Sequence, residues 1–307
     1  MAVSPTGGGG VKIDDIVRSS VQVTDNTYHA FKAEPAAGYI FSHWSGDLAG
    51  SENPQTILVT CDKYITAHFE ASQTTYEYYI PYYRAEDPSS AADGFYSSLA
   101  LRNSSAGSAA TVTVAAYESD GTAVPLAAEF TDFSISPSGQ WARVLPQIDV
   151  EGWVLVTSTA PLTGLAWVGT LDESWPRLMA DVSLIGELNS ALIVPHVAQT
   201  ISGCYTDGGW STKVNICNPH ATTTTVTLAY YTTSGANPHA TTFSIPANGS
   251  VSYNLDSLLP TTQCFYDGSM AISATQAVAA FALYYDVDKV PGADGTCYAG
   301  ISAVGLQ

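Results

Sequence analysis

Residues 286–295 place three carboxylates, Asp286, Asp288 and Asp294, in one segment that also holds Gly292 and Gly295. Calcium collects oxygens from such loops, with backbone carbonyls completing the shell. The spacing is not that of an EF-hand, and Lys289 opposes the charge. A solvated acidic hairpin is the competing reading. Calcium is therefore the one ion the chain is expected to take if it takes any, and no other cofactor is expected.

Four of the five cysteines, Cys204, Cys217, Cys264 and Cys297, fall in the last third of the chain. An even set confined to one region points to disulfides, and the absence of a Cys-x-x-Cys pair argues against zinc. Alternating strands put Cys204, Cys264 and Cys297 toward one end of a domain and Cys217 toward the other. A bridge among the first three, with Cys297 as a partner, is the expectation. Cys61 is left over and is expected to be a buried thiol.

Nucleophilic catalysis has no support, since Gly-x-Ser-x-Gly is absent and no helical run could carry its elbow. His196 aligns with Tyr82 across an internal repeat described below, so it is expected to be a structural or surface ring rather than a base. Paired carboxylates for glycoside hydrolysis would have to come from Glu86-Asp87, Asp172-Glu173 and Glu151, none of which has a counterpart in the other repeat. Aromatic residues are plentiful, with 18 tyrosines and 6 tryptophans. Tyr78, Tyr82 and Tyr83 crowd one short segment, where flat rings could stack on a sugar. Packing inside and between domains is the competing use for them.

Bulk composition narrows the partners. The net charge is −18, with only 10 lysines and arginines to meet phosphates, which excludes nucleic acid and anionic membrane surfaces as partners. No apolar run is long enough to span a membrane, so no membrane insertion is expected. The Gly-rich residues 1–10 lack the features of a signal peptide and read as a flexible tail, the cut end of a longer secreted protein.

The elements that would position these residues are strands. Pro195 follows Pro81 by 114 residues, and the sequences around them repeat. Residues 95–103 match 210–218, and residues 111–117 match 225–231. In 111–117, Val112, Val114 and Ala116 alternate with Thr111, Thr113 and Ala115, a half-buried strand. The last repeat holds strand candidates at 193–197, 210–217, 223–231, 240–245, 250–255, 269–273, 278–285 and 297–304. Asn-Pro, Ser-Gly and Asp-Gly turns punctuate them. Strands at this spacing with no helices between them predict antiparallel sandwiches.

Residues 11–71 form a separate unit. Gly38-Tyr39-Ile40-Phe41, Trp44-Ser45-Gly46-Asp47, Asn53-Pro54 and Thr66-Ala67-His68-Phe69 resemble the bacterial surface repeat of internalin B. That resemblance implies a small β-grasp-like domain on a secreted or surface-attached bacterial protein, without catalysis. The two large repeats look like a β-sandwich module of secreted bacterial proteins with unassigned function. The carriers are an opening strand with Pro, a strand ending in Asn, a Thr-Val-Thr strand, and Ile245-Pro246-Ala247-Asn248-Gly249. The middle repeat departs from the last pattern with Ile135-Ser136-Pro137-Ser138-Gly139.

The expected architecture is all-β: a flexible tail at 1–10, the internalin B-type repeat domain at 11–71, and β-sandwiches at 76–188 and 190–307. The expected role is a non-catalytic binding or spacer protein, extracellular or on the cell surface, as a fragment lacking its signal peptide. Its partner would be a protein or a glycan. The alternatives are a polysaccharide-acting hydrolase fragment and a carbohydrate-binding module.

Overall fold

A computed structural model describes the chain except for residues 18, 73, 88–94, 147–148, 171–178, 201–208, 238, 261–262, 287–298 and 306–307. Two compact units result, Met1–Thr74 and Thr75–Gln307. Both are β throughout, and among the described residues the only helices are the short 3-10 turns Ala128–Phe130 and Leu255–Ser257.

The first unit packs a three-stranded sheet against a four-stranded one around Phe31, Trp44, Ile65 and Phe69. Its start is not a tail. Ala2–Ser4 pairs in parallel with Ile65–Ala71, and Gly9–Ile13 pairs with Thr27–Pro35. Within the glycine run read as flexibility, Gly8 and Gly9 meet a packing requirement. A Cβ on Gly9 would strike the Phe69 ring and the Glu34 carbonyl. The Trp-Ser-Gly-Asp motif has a structural role. Trp44 is buried and donates its indole N–H to the Glu52 carbonyl at 2.9 Å. Gly46 (φ +94°) lies too close to the Tyr64 carbonyl for any side chain, and Asp47 Oδ2 accepts the Tyr64 N–H at 2.7 Å. Asn53 accepts from and donates to the backbone of Ala33.

The second unit holds two sandwiches with the same strand order. In the first, one sheet runs Ala110–Glu118, Val150–Ser158, Tyr76–Ala85, with Phe133–Ile135 on its edge; the other runs Gln140–Val144, Phe95–Asn103, Leu162–Thr170, Met179–Ser183. In the second, His239–Ile245, Thr224–Thr232, Phe265–Asp286 and Asn189–Thr200 repeat the first order, and Ser250–Asn254, Trp210–Cys217, Phe265–Asp286 and Ala299–Ser302 repeat the second. Val112, Val114 and Ala116 face the core as their alternation requires.

Two differences from the sequence expectation have physical causes. Residues 269–273 and 278–285 are one strand, Phe265–Asp286, which pairs in both sheets of its sandwich. The bend falls in Ala274-Thr275-Gln276-Ala277, where no residue removes an amide. In the first sandwich Pro161 stands at the equivalent place, and the strands Val150–Ser158 and Leu162–Thr170 are separate. The second difference concerns cysteine. Cys217 is a free thiol, wholly buried, and so is no disulfide candidate; Cys61 is free and exposed rather than buried. Cys264 is not a free thiol, being held in a further interaction. Cys204 and Cys297 lie outside the described residues.

One side chain closes each sandwich in the same way. Asn103, fully buried, donates to the carbonyls of Ser108 (2.8 Å) and Ile135 (3.1 Å) and accepts the Ser105 N–H at 2.9 Å. Asn218 donates to Thr222 (2.9 Å) and Pro246 (2.8 Å) and accepts the His220 N–H at 3.2 Å. An amide is the one neutral side chain able to give two protons and take one at such a corner.

Candidate functional site

The two sandwiches meet face to face. In Val150–Ser158, Val154 and Val156 point into the first core, while Trp153 and Leu155 point out of it. In Phe265–Asp286, Ala280 and Ala282 serve the second core, while Ala279, Phe281 and Leu283 point outward. These outward faces cover each other. Tyr79, Trp153, Cys217 and Ala279 form one buried cluster, flanked by Tyr117 and Leu155. Phe281 and Leu283 complete the core of the neighbouring sandwich. The small Ala279 and Cys217 make room for Trp153, whose ring stacks on Tyr117 at 4.8 Å.

Polar contacts surround that cluster. The turn Ala247-Asn248-Gly249 abuts Gly121, where a Cβ would strike the Ala247 carbonyl. Ser250 N–H donates to the Ser119 carbonyl at 2.9 Å. Glu151 accepts from Ser252 and lies 3.7 Å from Lys213 Nζ. Burial pushes the Cys217 thiol up to about 12 and raises the Tyr79 phenol, which also donates to Glu77 at 2.6 Å.

A groove opens on the far face of the second sandwich, lined by Ile193, Pro195, His196, Tyr231, Asp267 and Ser269. A bulge shapes it. Pairing between Asn189–Thr200 and Phe265–Asp286 jumps from Val194↔Met270 to Val197↔Gly268, leaving Pro195 and His196 opposite Ser269 alone. Pro195 has no amide for the ladder, so the slip costs nothing there. His196 is thrown outward, with Nε2 3.1 Å from Asp267 Oδ1 and both side chains about half exposed. Tyr230 donates to the Asp267 carbonyl at 2.8 Å, and Tyr284 donates to the His196 carbonyl. The backbone is thus held from the core side while imidazole, carboxylate, ring and hydroxyls face solvent. Such a surface can bind. Among the described contacts no serine hydroxyl meets the His196 ring.

The other candidate residues fall as follows. Tyr82 (2 % exposed) and Tyr83 (1 %) lie inside the first sandwich, and Tyr78 packs against its core while accepting the Leu162 N–H at 2.7 Å. The proposed ligand-contact role for these three rings is therefore replaced by packing. Tyr83 donates to the Pro146 carbonyl at 3.1 Å. Glu86 is held by Arg84, and Glu151 belongs to the interface. Asp172 and Glu173 are outside the described residues, as are Asp288 and Asp294; of Asp286 only the backbone is described. Among the described residues no three side chains are grouped to hold a metal ion. Sequence reasoning weighed packing between domains without locating the face that does it, and missed Asp267. The available signal was residues 278–284, which are apolar at every position, as in a strand buried on both sides.

Residues 1–73 match the family model of a divergent InlB B-repeat domain, which suggests a bacterial surface or secreted protein. Residues 183–281 match a family of unknown function (DUF5719). No curated protein matches. A solved structure titled "Structure of infectious bursal disease virus Gt strain" is similar over 99 % of this chain and 81 % of that one, at 8 % identity and a TM-score of 0.18; so slight a likeness fixes no kinship of fold. Among the described residues no helix is long and apolar enough to cross a membrane.

Proposed function

We propose that the chain is a non-catalytic extracellular binding or spacer module of a bacterial surface or secreted protein, and that it is stiff. The observation that carries this reading is the buried Trp153–Cys217–Ala279 cluster between the sandwiches. Tandem domains on a free linker swivel, whereas a shared apolar face with a hydrogen-bonded rim holds one orientation. The match of residues 1–73 to a surface-repeat domain supports the location. The Asp267–His196 groove, with Tyr231 and threonine hydroxyls beside it, favours a carbohydrate-binding module over a hydrolase as the second reading.

Two further features belong to this proposal. An oxidising location suits a bridge from Cys297 to Cys264 or Cys204. Calcium would be held by Asp286, Asp288 and Asp294, and would raise the melting temperature of the full chain if it binds there. The function is tested by a glycan array combined with a reducing-sugar assay on the full chain. Sugar release would replace the spacer by the hydrolase, binding without release would make it a carbohydrate-binding module, and neither is the expected outcome.

A further inference from the structure

The bulge that shapes the open groove occurs twice. In the first sandwich pairing jumps from Val154↔Ile80 to Gly152↔Tyr83, leaving Pro81 and Tyr82 opposite Trp153. In the second it jumps from Met270↔Val194 to Gly268↔Val197, leaving Pro195 and His196 opposite Ser269. The register therefore equates Trp153 with Ser269, Leu155 with Ala271, Tyr117 with Tyr231 and Glu151 with Asp267. The groove on the second sandwich is the same face that, on the first, is covered by its neighbour.

The opposite ends correspond in the same way. Phe281 and Leu283, which dock into the first sandwich, pair with Asn215 and Lys213. Leu165 and Trp167 pair with Ala100 and Ser98, the equivalent positions of the first sandwich. Leu165 is half-buried, Trp167 is 41 % exposed, and Val144, one strand over in the same row, is 54 % exposed. The first sandwich thus presents outward the kind of apolar face that the second has buried.

The built contact joins one kind of face to a different kind. A contact of that type is not self-complementary, and in an open row it leaves one complementary face free at each end. The Lys213–Glu151 ion pair of the built contact is not repeated, because Ser98 stands where Lys213 does, but one cation does fall near the acidic residue of the open face. Arg102, exposed, occupies the position of Cys217 and would come toward Ser269, two residues from Asp267.

We propose that copies of this chain associate head to tail, the Ser269/Ala271 face of one receiving the Leu165/Trp167 face of the next and repeating the contact already made within the chain. This extends the spacer reading from one stack of sheets to a row of them. It fails independently of that reading, because the intramolecular interface uses other residues.

The test is sedimentation of the full chain over a range of concentrations, with Trp167→Glu blocking one face and Ala271→Arg the other. Wild type is expected to form a ladder of dimers and larger species as concentration rises. Each variant alone is expected to stay monomeric. An equimolar mixture of the two is expected to double in mass and go no further, since each supplies the face the other lacks and both outer ends are blocked. Should either variant melt early, Val144→Glu and Ser269→Arg replace them. Wild type that remains monomeric throughout, or a mixture that does not pair, would overturn the proposal.

Discussion

The indole N–H of Trp153 in the first sandwich donates to the carbonyl of Asn248 in the second, at 2.7 Å. Asn248 sits at φ +53° in the turn Ile245-Pro246-Ala247-Asn248-Gly249, the one family pattern that the middle repeat does not keep. That turn is where the second sandwich touches the first. Trp153→Phe should keep most of the packing but leave the Asn248 carbonyl without its donor, costing about 1–3 kcal/mol. Trp153→Ala should cost about 3–5 kcal/mol. Urea unfolding of the full chain measures both, and the loss should register on both sandwiches together.

The paired corner asparagines provide a second check. Asn218→Ala leaves carbonyls at Thr222 and Pro246 without a donor and should cost about 2 kcal/mol or more. Asn218→Asp should cost more, because a carboxylate would face those carbonyls with no proton to give. Asn103→Ala and Asn103→Asp should show the same ranking by the same measurement, since the geometry is repeated. An aspartate variant more stable than the alanine one would contradict this account.

At the N-terminus, Gly9→Ala should destabilise the first unit by about 1–3 kcal/mol, because the added methyl meets the Phe69 ring and the Glu34 carbonyl. Gly7→Ala meets nothing within 4 Å, but Gly7 sits at φ +88°, so it should cost through backbone strain alone and by less. Thermal melting of the two variants separates a packed segment from a flexible one, which would tolerate both.

Burial sets the response to alkali. The Cys217 thiol rises from its ordinary 9.0 to about 12, so the folded chain keeps a proton that the unfolded chain releases. Its contribution is fully present below pH 9 and is lost as pH climbs toward 12. While that gap lasts the slope is at most about 1.4 kcal/mol per pH unit. The urea midpoint of Cys217→Ala should therefore fall less between neutral and alkaline pH than that of wild type. Tyr79 and Tyr83, also raised by burial, leave a residual slope in both. Equal slopes would place Cys217 in solvent.

Much of this was legible from local pattern. Alternation at 111–117 gave a strand with the correct face inward, and the matched segments 95–103 and 210–218 found two sandwiches that share a strand order. What pattern could not supply was the partner of the second face. Tyr78, Tyr82 and Tyr83 were ambiguous between ligand and packing because a strand covered on both sides by protein looks like one carrying an exposed aromatic platform. Residues 1–10 misled for a related reason: glycine signals freedom in isolation, but here it admits the Phe69 ring. Residues 287–295 of the acidic segment, Cys204 and Cys297 lie outside the described residues.

The central claim is that the two sandwiches move as one body, and Cys217 reports on it directly, being buried between them with no exposure of its own. Native-state alkylation of the full chain, followed site by site by mass spectrometry across sub-denaturing urea, measures how often that face opens. Cys61, exposed, should react at once and provides the internal standard. Cys217 should react only through unfolding of the whole second unit, with a rate that rises steeply with urea and extrapolates to the unit's global stability. Rapid labelling of Cys217, independent of urea and with both sandwiches still folded, would mean that they hinge apart, and the stiff spacer would be wrong.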